Sequence, residues 1–172
     1  MTSDKKGGNG PLSFDDIYEK YFDRVYRFVN VRVMNHMDSE DIAVKIFEKI
    51  YRSLDTYSPE KGSLDVWIFT IARNEVTSFF RTKKIQVVSM ECISEINDST
   101  SSPENIMETN IKNERLYNAI GNLNDNERFA VSCKYGAGLT NIEIAELMGI
   151  SSSNVGVVLF RSMKKLKKEL EG

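Results

Sequence analysis

Apolar residues recur at three- and four-residue steps along most of this chain and nowhere alternate long enough to make a strand. Phe14, Ile17, Tyr18, Tyr21, Phe22, Val25 and Val29 keep that step, with Asp15, Glu19, Lys20, Asp23, Arg24 and Arg27 between them. The pattern predicts an amphipathic helix opening at Ser13, whose hydroxyl can take an orphan amide while Asp16 favours the positive end of the helix dipole. A second helix is expected from about Asp38 to Leu54, burying Ile42, Ile46, Phe47, Ile50 and Leu54, with Asp38, Glu40 and Asp41 in its first turn. Pro59 and Gly62 mark a turn. A third helix should then run from about Ser63 to Arg81 through Leu64, Trp67, Ile68, Ile71 and Phe79, ending in Arg81, Lys83 and Lys84.

Residues 86–111, QVVSMECISEINDSTSSPENIMETNI, lose the period and fill with Ser, Asn, Asp and Glu. Such a stretch buries too little apolar surface to offset its ordering cost and reads as a flexible linker. The helical period returns near Asn113 with Leu116, Tyr117, Ile120 and Leu123, and another helix is expected from Asp125 to Tyr135. The clearest local signal follows, LTNIEIAELMGISSSNVGVVLFR, from Leu139 to Arg161. Thr140 and Glu143 have the spacing of a capping box. Ile144, Ala145 and Met148 share one face of a short helix that Gly149 can end in the left-handed conformation. Ile150 tucks under the turn, and Ser151 can cap a last helix that turns Val155, Val158 and Leu159 inward and runs to about Leu170. Two short helices around a tight Gly turn form a helix-turn-helix, a unit that commonly lays its second helix in the major groove of DNA. The fold class is therefore all-α: two small helical domains joined by a flexible acidic linker, the C-terminal one a helix-turn-helix. The boundaries are a disordered leader at 1–11, a first domain at 12–85, the linker at 86–111 and a second domain at 112–172.

Composition narrows the function without naming it. No run of eighteen apolar residues spans a membrane, and no signal peptide precedes Leu12. Cys92, Cys133 and the single His36 are too few for a convincing metal site, and the cysteine usage suits a reducing cytosol. The net charge of −2 is uneven. Residues 1–85 carry net +1, residues 86–111 hold five acids and no base, and residues 112–172 carry net +2. Both ends are thus permissive for DNA and the acid excess lies between them. No nucleophile–base pair, glycine-rich phosphate loop or paired metal motif supports catalysis, so the chain is not expected to be an enzyme or to need a cofactor or small-molecule substrate.

FDDIYEKYFDRVYRFV, SEDIAVKIFEKIYRSL and WIFTIARN, followed by LYNAIGNLNDNERFAV and the helix-turn-helix, together resemble the extracytoplasmic-function sigma factors of the sigma-70 family. The resemblance covers roughly residues 12–85 and 113–170. It implies a dissociable promoter-specificity subunit of bacterial RNA polymerase that binds core polymerase, opens the −10 element with its first domain and reads the −35 element with its second. It further implies a cytoplasmic protein held by an anti-sigma factor, frequently a membrane-anchored one. The expected polymerase-docking residues are Glu40, Asp41, Ile42, Phe47 and Glu48, where acids would orient the encounter.

For the melted −10 strand the candidates are Arg73, Asn74, Arg81, Lys83 and Lys84. The loop Pro59–Asp65 resembles the family's base pocket, and Trp67 is open between a core and a stacking role. For the −35 element the candidates are Thr140, Ser152, Ser153, Asn154, Val157, Arg161, Lys164 and Lys165. Gly156 and Val158 stand where many relatives carry Lys or Arg. Asn154 and Val157 therefore suggest an A/T-leaning site, with phosphate contacts from the cations. The competing reading is a free-standing helix-turn-helix regulator whose N-terminal domain senses or dimerises. It leaves WIFTIARN ahead of a basic run unexplained.

Overall fold

A computed structural model describes residues 12–90 and 107–172, with side chains at 12–84 and 114–172. The leader and the middle of the linker, with Cys92, lie outside the described residues. Seven α-helices and no strand occur among them. The first is α1, Phe14–Val33, capped by the Ser13 hydroxyl, which accepts from the Asp15 amide at 3.2 Å. It ends at Met34, which adopts the left-handed conformation (φ 56°) and donates its N–H to the Asn30 carbonyl. The next residue, Asn35, already caps α2, His36–Ser53, by accepting from the Asp38 amide at 2.9 Å. That Asn cap starts α2 two residues before the expected Asp38, so Asp38 is the first-turn acid while Glu40 and Asp41 lie beyond the opening turn. A 3-10 turn, Leu54–Thr56, closes α2, and α3 runs Leu64–Met90. It passes the expected end at Arg81 because no Gly or Pro interrupts the chain between Gly62 and Pro103.

The expected linker at 86–111 is helical at both ends, through Met90 of α3 and from Met107 of α4, which spans Met107–Gly121; α5 spans Asp125–Val131. Arg128 ties these two together by donating to the carbonyls of Ile120, Gly121 and Leu123 that end α4. The expected continuation of α5 to Tyr135 is instead a π-helical turn, Ser132–Gly136, in which the Ala137 amide reaches the Ser132 carbonyl at 2.9 Å. Then come α6, Asn141–Met148, and α7, Ser152–Glu171, which meet at 98°.

Burial explains how these helices assemble. Ile17, Tyr21, Val25, Phe28 and Val29 of α1 are all buried, and so are Ile42, Ile46, Phe47 and Ile50 of α2 and Ile68, Phe69, Ala72 and Val76 of α3. The same hydrophobic cluster continues without a break into Phe129, Ala130, Cys133, Ala137, Leu139, Ile144, Leu147, Val155 and Leu159. The two halves therefore share one core, with α1 as the spine between them. Phe28 is the hinge of that core: its ring meets Phe69 at 5.5 Å and Phe129 at 6.0 Å, both edge to face. Each fully buried aromatic of this kind contributes about 1.5–3 kcal/mol of apolar burial.

Polar contacts follow the same seam. Arg24 donates Nε to the Ala137 carbonyl at 2.6 Å and pairs with Asp65, which also accepts from the Tyr21 hydroxyl at 2.8 Å. Asn30 donates to the Tyr117 hydroxyl at 2.9 Å, and Arg32 to the Asp125 carbonyl at 3.1 Å. A smaller cluster of Ala119, Ile120, Leu123, Val131 and Leu166 closes the far end against Val31 and Met34.

Candidate nucleic-acid interface

The helix-turn-helix forms as its local chemistry dictates. The Thr140 hydroxyl accepts from the Glu143 amide, and the Glu143 carboxylate accepts from the Thr140 amide at 2.8 Å, completing the capping box. Gly149 takes φ 67° at the end of α6, a conformation that costs a side-chain-bearing residue strain. Ser151 caps α7 through the Asn154 amide at 3.1 Å. Val155 and Leu159 turn inward as expected, and Val158 is half-buried beside them.

The outer face of α7 carries the groove-facing candidates. Ser152, Ser153, Asn154, Val157, Arg161 and Lys164 are all exposed, and Asn154, Val157, Arg161 and Lys164 fall on one stripe at helical spacing. Phe160, which the sequence reading passed over, is 71% exposed beside that stripe. Gly156 faces α6, where a Cβ would lie 3.9 Å from the Asn141 side chain, and so it is no gap in the reading face. Two candidates have other partners. Thr140 is occupied by its own capping box, and Lys165 binds both carboxylate oxygens of Glu127 at 2.7 and 2.9 Å. Burial alone would raise the Glu127 carboxyl, but the Lys165 bonds and the Asn124 amide outweigh it and hold it below its usual value. Lys165 therefore anchors α7 to α5.

In the N-terminal half, a cleft of about 200 Å³ opens where the loop Pro59–Asp65 meets α3, lined by Tyr57, Lys61, Gly62, Ser63, Trp67 and Thr70. Trp67 is half-buried and leans on Tyr57 at 5.4 Å, so it serves the core with one face and borders the cleft with the other. Asn74 is exposed but lies outside that cleft, in a groove beside Lys49, Arg52 and Ile71. Arg81, Lys83 and Lys84 are exposed along α3, with Lys83 3.6 Å from Asp38 and over the Phe79 ring. Arg73 points the other way and donates to the Leu147 carbonyl at 2.6 Å, closing the C-terminal end of α6.

On α2 the expected docking set divides. Glu40, Asp41 and Glu48 are exposed, whereas Ile42 (3% exposed) and Phe47 (4%) are largely buried, Phe47 in the floor of a groove with Tyr18, Val44 and Tyr51 and Ile42 in that of a groove with Asp38 and Asp41. The helical period turns both inward, and Phe47 stacks on Phe22 and meets Tyr18 edge to face. The outward stripe is instead Met37, Glu40, Asp41, Val44, Glu48 and Tyr51, mixed apolar and acidic. No group of three His, Cys, Asp or Glu gathers as a metal site among the described residues.

The order of these parts defines a class of protein. The family "Sigma-70 region 2" matches residues 17–85 and "Sigma-70, region 4" matches residues 113–166. ECF RNA polymerase sigma factor SigM of Bacillus subtilis is 31% identical over 158 residues, covering 91% of this chain and 94% of that protein. The BldN sigma factor of Streptomyces coelicolor is 27% identical over 160 residues, and the match spans 92% of this chain but 60% of BldN. Among solved structures, the sigma factor RpoE of Bartonella quintana, in complex with the anti-sigma factor NepR, has the same fold. Its TM-score is 0.72 at 18% identity, over 92% of this chain and 96% of that one. CnrH, solved with the cytosolic domain of CnrY, aligns at a TM-score of 0.68 and 16% identity over 92% and 87%. The chain belongs to the extracytoplasmic-function RNA polymerase sigma factors, a family of transcription initiation factors.

Proposed function

We propose that this chain is a dissociable subunit of bacterial RNA polymerase, with residues 12–85 serving core polymerase and the −10 element and residues 112–172 serving the −35 element. The observation that carries the reading is the pairing of an outward Asn154–Val157–Arg161–Lys164 stripe on α7 with an aromatic cleft and a basic helix end on α3. Duplex DNA takes the first: Asn154 and Val157 read base edges of an A/T-leaning −35 site while Arg161 and Lys164 hold phosphates. The melted −10 strand takes the second, where Trp67 offers a stacking face and Arg81, Lys83 and Lys84 follow the backbone. Asn74 contacts the strand from the neighbouring groove. Core polymerase docks on the α2 stripe, whose acids orient it and whose Met37, Val44 and Tyr51 supply apolar area. The chain works in the cytoplasm, where an anti-sigma factor, in some cases anchored in the membrane, withholds it from polymerase. It performs no catalytic step of its own.

Reconstitution with core polymerase tests the proposal. Retention of the chain on polymerase and new transcription starts downstream of a shared −10/−35 pair are expected. A chain that bound duplex DNA but neither stayed with polymerase nor redirected its starts would refute it.

A further inference from the structure

Between Arg161 and Lys168, α7 carries one arginine and four lysines, and the fold treats one of the lysines differently from the rest. The Lys165 ammonium donates to both oxygens of Glu127, at 2.7 and 2.9 Å, and that side chain is only 9% exposed. Lys167 instead meets Glu171 at 3.7 Å in open solvent, a kind of pair worth little. Among the described residues neither Arg161 nor Lys164 forms an ion pair. Lys165 lies one turn beyond Arg161, so the two border the same face of the helix. Its side chain is half exposed, yet its charge is drawn toward α5 and off the stripe proposed for DNA.

The seat of α7 does not depend on that charge alone. Asn124 and Glu127 close a capping box in which Glu127 Oε2 accepts from the Asn124 amide at 3.1 Å. Arg128, the next residue, fastens this corner to the end of α4. One turn further along α7, Glu169 accepts from the Asn122 side chain at 2.9 Å. Leu159 and Leu166 of α7 are buried in the two apolar clusters. What the Lys165 pair adds to these contacts is the neutralisation of one cation beside the reading face.

We infer that Glu127 is a positioning residue that withholds Lys165 from the DNA phosphates and so limits the sequence-independent grip of α7. The inference rests on the −35 assignment of α7 above. Each lysine placed on a phosphate adds about 0.9 to the slope of log affinity against log salt. One such contact makes binding fall about 3.5-fold further between 50 and 200 mM salt. It adds nothing to the choice between sequences, because phosphates carry no base information. With Lys165 held back, Arg161 and Lys164 secure the backbone and a larger share of the affinity falls to Asn154 and Val157 at base edges.

The test uses the full chain bound to core polymerase and two duplexes. One carries a −35 element selected from a randomised pool, and the other has that element scrambled. Affinity is measured from 50 to 200 mM salt. Glu127→Gln keeps an acceptor for the capping box and removes the charge. It should steepen the salt slope by about 0.9 on both duplexes, an extra loss of about 3.5-fold across the range. Lys165→Met should leave the slope at the parent value, and combining the two substitutions should return it there. The double variant removes both charges together. It carries the comparison if Lys165→Met alone, with a buried carboxylate left unpaired, loses its helical circular dichroism. A slope shallower by about 0.9 in Lys165→Met would put that lysine on a phosphate already and overturn the inference. So would an unmoved slope in Glu127→Gln, or a change confined to the selected duplex. Arg161→Gln, expected to make the slope shallower by about 0.9, separates failure of the −35 assignment. If Arg161→Gln and scrambling both left binding unchanged, the assignment itself would fall. A shallower slope in Arg161→Gln beside an unmoved one in Glu127→Gln sinks only the withheld lysine.

Discussion

Phe28→Ala is the sharpest test of the shared core. The ring is fully buried on α1 and touches Phe69 of the N-terminal half, Phe129 of the C-terminal half and the backbone approach of Gly136. Truncating a buried Phe costs about 3–5 kcal/mol through lost transfer energy and the residual cavity. That is a large share of a total stability of about 5–15 kcal/mol. In a chain of this size each kcal/mol moves Tm by about 2–4 °C, so a fall of roughly 6–20 °C is expected. Two reporters stand on opposite sides of the seam. Trp67, the single tryptophan, reports the N-terminal half by fluorescence, and the buried Cys133 reports the C-terminal half by thiol labelling in a Cys92→Ser background. One core requires both transitions to coincide in the parent and to fall together in the variant. If Trp67 melted early while Cys133 stayed protected, or the reverse, the halves would be independent folding units and the shared core would be wrong.

Three further outcomes follow from named contacts. Burial pushes the Cys133 thiol up to about 12 from an ordinary 9.0, so above pH 9 the unfolded chain releases a proton that the folded chain keeps. Stability should fall as pH rises past 9, by up to about 1.4 kcal/mol per unit, and Cys133→Ala should flatten that loss in urea midpoints between pH 9 and 10. Tyr21, raised by burial and by Asp65, adds a loss of the same sign above pH 10. Asp41→Lys on the exposed α2 stripe should weaken retention on core polymerase, whereas Ile42→Val, altering only the interior, should leave it unchanged in the same pulldown. Thr140→Ala removes one limb of the capping box, costs about 1 kcal/mol, and should speed amide exchange at Glu143 about fivefold.

The helix-turn-helix was legible because each of its signals acts within four residues: Thr140 with Glu143, Gly149 at the turn, Ser151 with Asn154. The helical class was legible for the same reason, since a period of 3.6 residues is written along the chain and needs no partner to be read. Which face of α2 points outward was only half legible. Ile42 and Phe47 obey the period, and that buries most of each side chain beneath the exposed acids. The helix expected from Asp125 to Tyr135 is helical throughout, but its change to a π turn at Ser132 was not legible, because Gly136 in that turn packs on Phe28, more than a hundred residues away in sequence. Lys165, in a run of similar lysines, was singled out by Glu127 alone.

What the sequence determined by itself is a set of amphipathic helices, their caps and a family order of motifs, all carried by short-range spacing. Only the tertiary structure decided that α1 serves two halves at once. That decision lies in a glycine, a phenylalanine and two arginines whose meaning depends on what packs against them. An arginine free for a ligand and one spent on a backbone carbonyl read identically in sequence, and only the placement of the Ala137 and Leu147 carbonyls shows that Arg24 and Arg73 are of the second kind.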